Sequence, residues 1–139
     1  ALNDPQSALA CLRRALTLNP TKQDTPSIYS YLGVALKDMG EYRQALENLQ
    51  KGEKLDSSRT DIYNLMGFCH YKLEEYERAI EDFKKVIELD PSSAIDYANI
   101  ASNYRQMGEK KQAIRYYQIA LNLDDSIQFA REHLQELKG

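Results

Sequence analysis

Three stretches of this chain spell nearly the same words at a spacing of 34 residues: MGEYRQAL at 39–46, LEEYERAI at 73–80 and MGEKKQAI at 107–114. Laid over one another, residues 26–59, 60–93 and 94–127 agree well beyond that turn. Tyr29, Tyr63 and Tyr97 coincide, as do Leu32, Met66 and Ile100; Gly33, Gly67 and Ala101; and Ala45, Ala79 and Ala113. Leu49, Phe83 and Tyr117 match next, then Gly52, Val86 and Ala120, and finally Leu55, Leu89 and Leu123. A chain that repeats at this period builds stacked units that bury their apolar stripes against their neighbours.

Each unit reads as two helices. Tyr29, Leu32, Gly33 and Leu36 are spaced i, i+3, i+4, i+7, one face of an α-helix, and Ala45, Leu49 and Gly52 form the stripe of a second. Between them the chain turns at Gly40, Glu74 and Gly108; glycine tolerates the left-handed conformation that ends many helices. No sustained period-two alternation marks a strand, so the expected fold is all-α. Gly33 and Ala45 are expected to face each other where the pair crosses. Pro91 stops one helix, and Ser93 with Asp96 has capping-box spacing for the next. Thr25 is the expected N-cap, with Pro26 at the first helical position.

This pattern resembles the tetratricopeptide repeat family. The family's order of aromatic, Leu-Gly, Tyr, Ala, aromatic, Ala and Pro reads here as Tyr63, Met66-Gly67, Tyr71 (one place late), Ala79, Phe83, Val86 and Pro91. The first unit has Ser57 at the closing proline and the third has Asp125. The resemblance implies a right-handed superhelical solenoid of helix-turn-helix repeats. Three full 34-residue units would occupy 26–59, 60–93 and 94–127. Residues 1–25 match a half-repeat helix and linker, with Ala8, Leu12, Ala15 and Pro20 in second-helix places. Three extra residues in TKQDTPS then precede the next unit. Residues 126–139 read as a capping helix, with Phe129, Ala130, Leu134 and Leu137 on its apolar side. The expectation is a single domain that is a stretch of a longer solenoid.

Composition narrows the chemistry. A net charge of −3 argues against nucleic acid, which selects a basic stripe. No run approaches the ~18 uncharged apolar residues of a membrane span, so membrane insertion is not expected. Two cysteines make no disulfide framework; Cys11 and Cys69 are read as small core residues, and the expected setting is cytoplasmic. Cys69-His70 is tempting as a metal pair, but adjacent helical residues point about 100° apart and no further ligand spacing supports it. His70 reads as a packed or half-exposed residue. Glu74, Glu75, Glu77 and Arg78 read as a solvated face. No metal, cofactor or catalytic residue is expected, and the reading is non-enzymatic.

The resemblance further implies that first helices line a concave groove. Columns of residues recur there: Tyr31, Leu65, Asn99 and His133; Val34, Phe68, Ser102 and Glu136; Ser30, Asn64, Ala98 and Glu132; Lys37, Tyr71 and Arg105. Tyr31, Val34, Leu65, Phe68 and Tyr71 are expected to gather into one apolar patch. Asn64, Asn99 and Asn103 would supply amides beside it, with Lys37 and Arg105 as positive ends. Apolar anchors flanked by hydrogen-bonding groups suit a partner's peptide or helix.

Chaperone-binding members of the family hold a terminal carboxylate with Lys, Arg and Asn. Those places fall here on Ser30, Val34, Leu65, Ile95 and Asn99; both basic positions are lost, and the carboxylate clamp is rejected. Two alternatives stand beside the groove reading. One is self-association through the helix at 4–18, with Leu9, Leu12, Leu16 and Leu18; the other is a regulatory arm of a larger enzyme.

Overall fold

A computed structural model describes residues 4–139, and among them every regular element is an α-helix. In chain order these are α1 (Pro5–Thr17), α2 (Thr25–Asp38), α3 (Tyr42–Leu55), α4 (Thr60–Lys72), α5 (Tyr76–Leu89), α6 (Ala94–Gln106), α7 (Lys110–Leu123) and α8 (Gln128–Lys138). Each helix packs on the next, most tightly within the pairs α2–α3, α4–α5 and α6–α7, and α2 also touches α4. The architecture is an all-α repeat solenoid, held by neighbour-to-neighbour contacts rather than one central core.

Turn chemistry repeats as faithfully as the stripes. Within pairs, Gly40, Glu74 and Gly108 all have positive φ, at 78°, 61° and 77°. Between pairs, Asp56, Asp90 and Asp124 each accept the backbone N–H and the hydroxyl of the serine two residues on, Ser58, Ser92 and Ser126. Such local carboxylate bonds stop a helix and hold the chain for the next. They keep the exposed Asp56 and Asp124 carboxyls below the usual range.

Close packing depends on missing side chains. A Cβ on Gly33 would stand 2.4 Å from Leu49, and one on Gly67 would stand 2.7 Å from Phe83. The expected partner of Gly33 was Ala45; the crossing lies one turn further along, because the helices are inclined and Leu49 fills the space glycine leaves. Burial of Leu32, Leu36 and Leu49 contributes about 1.5–3 kcal/mol each.

Two other local expectations change. The N-cap of α2 is Asp24, and Thr25 is the first helical residue. A turn already begins at Thr21, whose carbonyl accepts both the N–H and the hydroxyl of Thr25. Cys11 is exposed, whereas Cys69 is fully buried; among the described residues α1 packs on α2. Leu18 is also exposed, as the residue that ends α1, while Leu9 is buried and Leu12 and Leu16 pack against the first core cluster.

Candidate functional site

The helices α2, α4, α6 and α8 share a face, which carries two hollows. The first lies between α2 and α4 and reaches the start of α6, encloses about 450 Å³, and is lined by Tyr31, Val34, Asn64 and Leu65 together with Asp61, Asp90 and Asp96. The second lies among α4, α6 and α8 and encloses about 260 Å³. Phe68, Tyr71, Phe83, Phe129 and His133 supply its rings, and Asn64, Asn99, Ser102 and Asn103 its polar groups. Aspartate, glutamate, lysine and arginine are absent from that lining.

Polar ties between successive first helices set the spacing of this face. Ser30 donates to Asp61 at 2.7 Å, and Asn64 donates to Asp96 at 2.6 Å. Asp96 is 3% exposed and also accepts the hydroxyl of Ser93, the N-cap of its own helix. The Ser93 side chain therefore serves the carboxylate and makes no backbone cap. Asp61 is pushed up by partial burial, but bonds from Arg59 and Ser30 outweigh this and hold its carboxyl below the usual range. In the column Ser30, Asn64 and Ala98, Ser30 and Ala98 are thus buried, whereas the half-buried Asn64 still lines the hollows.

The aromatic hollow rests on a hydrogen-bonded chain. The Tyr117 hydroxyl pairs with Ser102 Oγ at 2.7 Å and with His133 Nδ1 at 3.1 Å. Tyr117 is fully buried, and burial raises its phenol above the ordinary value. His133 stands edge-on to both Tyr117 and Phe129. At the other wall Phe68 is 36% exposed, meets Tyr42 edge-on, and has the Lys37 and Lys72 ammonium groups 5.1 and 5.6 Å from its ring centre. Cations over a ring face are attracted by its quadrupole, so Phe68 carries a positive fringe.

The expected groove residues divide between these places. Tyr31, Val34 and Leu65 share the first hollow, with Leu65 also packed on the first core cluster. Phe68, Tyr71, Asn99 and Asn103 share the second, and Asn64 lines both. Of the five residues expected to form one patch, Tyr31, Val34 and Leu65 thus line the first hollow and Phe68 and Tyr71 the second. Asn103 is 1% exposed, with Nδ2 given to the Asn99 carbonyl and Oδ1 unpaired among the described residues. It is a wall of the hollow rather than a surface amide. Lys37 lies 3.6 Å from Asp38, and Arg105 pairs with Glu136 of α8 at 3.3 Å. Ser102, Phe129 and His133 were not among the expected site residues, although the columns through Asn99 and Phe68 already ran on to His133 and Ser102.

One buried titratable pair lies away from this face. His70 Nδ1 sits 2.5 Å from Asp82 Oδ2, both nearly buried. Burial raises the Asp82 carboxyl, opposed by the bond from His70. Beside it the Cys69 thiol is pushed up by burial to about 11, which makes it a poor nucleophile. No helix among the described residues is long and apolar enough to cross a membrane.

Comparison with known families and folds agrees with the geometry. One tetratricopeptide repeat model matches residues 60–93, and a second matches residues 97–131. The chain belongs to the tetratricopeptide repeat family. No curated protein sequence matches it. Among solved structures this repeat protein is similar to MamA, residues 41 to the end, from Desulfovibrio magneticus RS-1: 22% identity, covering 97% of this chain and 75% of that one, TM-score 0.88. YrrB, described as a TPR protein with an unusual peptide-binding site, is similar at 20% identity over 94% of this chain and 66% of its own, TM-score 0.85. The first TPR of Spaghetti (RPAP3), solved with the HSP90 peptide SRMEEVD, is similar at 16% identity over 83% and 91%, TM-score 0.79. At these identities the likeness is one of fold.

Proposed function

We propose that this chain is a non-catalytic interaction module that holds a peptide segment of a partner protein along α2, α4, α6 and α8. An apolar side chain of the partner would enter the aromatic hollow. The observation that carries this reading is the hollow itself: concave, ringed by Phe68, Tyr71, Phe83 and Phe129, and free of lysine, arginine, aspartate and glutamate. A cavity of about 150 Å³ already accommodates a benzene ring, so about 260 Å³ suits one aromatic or long aliphatic side chain. Asn64 and Asn99 beside it suit a peptide backbone, and Lys37 and Lys72 favour a carboxylate next to the anchor.

The peptide-binding descriptions of the YrrB and RPAP3 structures support a peptide as ligand. The mode differs from capture of a chain terminus. Ser30 is bonded to Asp61, and Val34, Leu65 and Ile95 offer no positive fork, so an internal segment fits better than a terminal carboxylate. One anchor contributing about 1–3 kcal/mol, with neighbouring contacts, supports micromolar binding, about 8 kcal/mol.

Affinity capture from a source-cell lysate with wild-type chain and a Phe68→Glu variant of matched helicity tests the reading. A protein retained by wild type and lost by the variant is the expected result. Equal retention by both would remove the groove as the binding surface.

A further inference from the structure

One place recurs in the first helix of each pair and is buried every time: Ala35 on α2, Cys69 on α4 and Asn103 on α6. Alanine and cysteine fill it as small residues. On α6 the same place holds a carboxamide that is 1% exposed. Its Nδ2 donates to the Asn99 carbonyl at 2.8 Å. Its Oδ1 is the only buried side-chain nitrogen or oxygen without a hydrogen-bond partner among the described residues. Burying an acceptor with no donor is unfavourable, and an alanine or cysteine here would avoid the penalty. Asn103 also lines the aromatic hollow, so the unmet acceptor belongs to the wall of the proposed binding site.

We propose that the hollow selects a tyrosine: the ring of the partner's anchor lies among Phe68, Phe83 and Phe129, and its hydroxyl donates to Asn103 Oδ1. This rests on the groove reading above and names the side chain that the groove takes. Several other polar atoms of the lining are already committed. Ser102 Oγ and His133 Nδ1 both pair with the Tyr117 hydroxyl, and Asn64 Nδ2 is given to Asp96.

An amide oxygen only accepts, so the guest must bring a donor. Phenylalanine, leucine and methionine bring none. A serine or threonine hydroxyl comes without the apolar body that the surrounding rings would cover. A lysine ammonium would enter a lining with no aspartate or glutamate to pair it. Tyrosine combines a ring for contact with the aromatic walls and a donor at its far end. The rings supply attraction and the amide supplies discrimination, because a site built to bond a hydroxyl rejects the analogue that lacks it.

The experiment selects peptides from a random-peptide phage library on the wild-type chain and screens them against Phe68→Glu, with helicity matched by circular dichroism. Peptides that depend on Phe68 are expected to share a tyrosine. Replacing that tyrosine by phenylalanine in the synthetic peptide is expected to weaken binding about tenfold, the scale of one well-made hydrogen bond. Asn103→Leu is expected to erase the difference, binding the phenylalanine peptide at least as tightly as the tyrosine peptide. Asn103→Ala, with the residue that α2 carries at this place, repeats the comparison if leucine disturbs packing. Phe68-dependent peptides anchored by phenylalanine, leucine or tryptophan would overturn the tyrosine and leave the groove reading standing. So would a loss under about twofold on the change to phenylalanine, or a preference that survives in both Asn103 variants. Peptides indifferent to Phe68→Glu would overturn the groove reading, and the tyrosine with it.

Discussion

The two hollows on the groove face come from the same columns of the repeat and have opposite chemistry. Between α2 and α4 the columns supply Tyr31, Val34 and Leu65, but Asp61, Asp90 and Asp96 line the same space, and Asp61 and Asp96 hold one first helix to the next. Among α4, α6 and α8 the same columns supply rings, amides and one hydroxyl, with Lys37 and Lys72 outside the lining. A repeat fold fixes where a side chain sits, and the residue type there decides whether the place serves stacking or binding. On the proposed reading α2–α4 serves stacking, and α4–α6–α8 receives an apolar guest.

The sharpest way to break this contrast is to fill the space behind the aromatic hollow. Gly67→Leu drives a side chain into Phe83, which lines that hollow, and should cost about 3 kcal/mol in urea unfolding while abolishing partner capture. A loss under about 0.5 kcal/mol, the scale of ordinary surface changes, would mean that α4 and α5 are not this close. Asn64→Leu comes next, because Asn64 lines both hollows. It leaves the buried Asp96 with Ser93 as its remaining side-chain donor and should cost about 2 kcal/mol.

Tyr117→Phe affects the aromatic hollow alone. Ser102 and His133 lose their shared partner, and denaturant unfolding should register about 1 kcal/mol. The smallest effect belongs to the acidic hollow. The depressed Asp61 pKa stabilises the fold above the ordinary carboxylate value, and that stability disappears as pH falls through the folded value. Ser30→Ala removes one of the bonds responsible, so acid unfolding followed by circular dichroism should begin at a higher pH. At neutral pH the change should stay within about 0.5 kcal/mol, because Asp61 is half-exposed. Partner capture should not change.

Much of this was legible in the sequence, and what escaped it has a common cause. The period, the paired helices, the left-handed turns at Gly40, Glu74 and Gly108 and the apolar stripes depend on spacing along one chain, which the sequence states directly. The partner of Gly33 depends on how two helices are inclined, which spacing does not carry, and so Leu49 took the place expected for Ala45. The ties from Ser30 to Asp61 and from Asn64 to Asp96 depend in the same way on the offset between stacked helices. Asp96 reads as the capping-box partner of Ser93 until α4 is laid beside α6. Cys11, read as a small core residue, is exposed because α2 alone packs on α1 among the described residues. The columns did reach Ser102 and His133, but treating α8 as a cap hid the fact that it forms a wall of the aromatic hollow.

The central claim is that the α4–α6–α8 hollow, and not the α2–α4 hollow, receives the partner's anchor. Once capture has supplied a binding segment, the most direct measurement is an NMR titration that follows the rings of Tyr31, Phe68, Phe129 and His133. The account predicts that Phe68, Phe129 and His133 shift together in proportion to occupancy while Tyr31 stays in place. Movement of Tyr31 with Phe129 and His133 unchanged would contradict it.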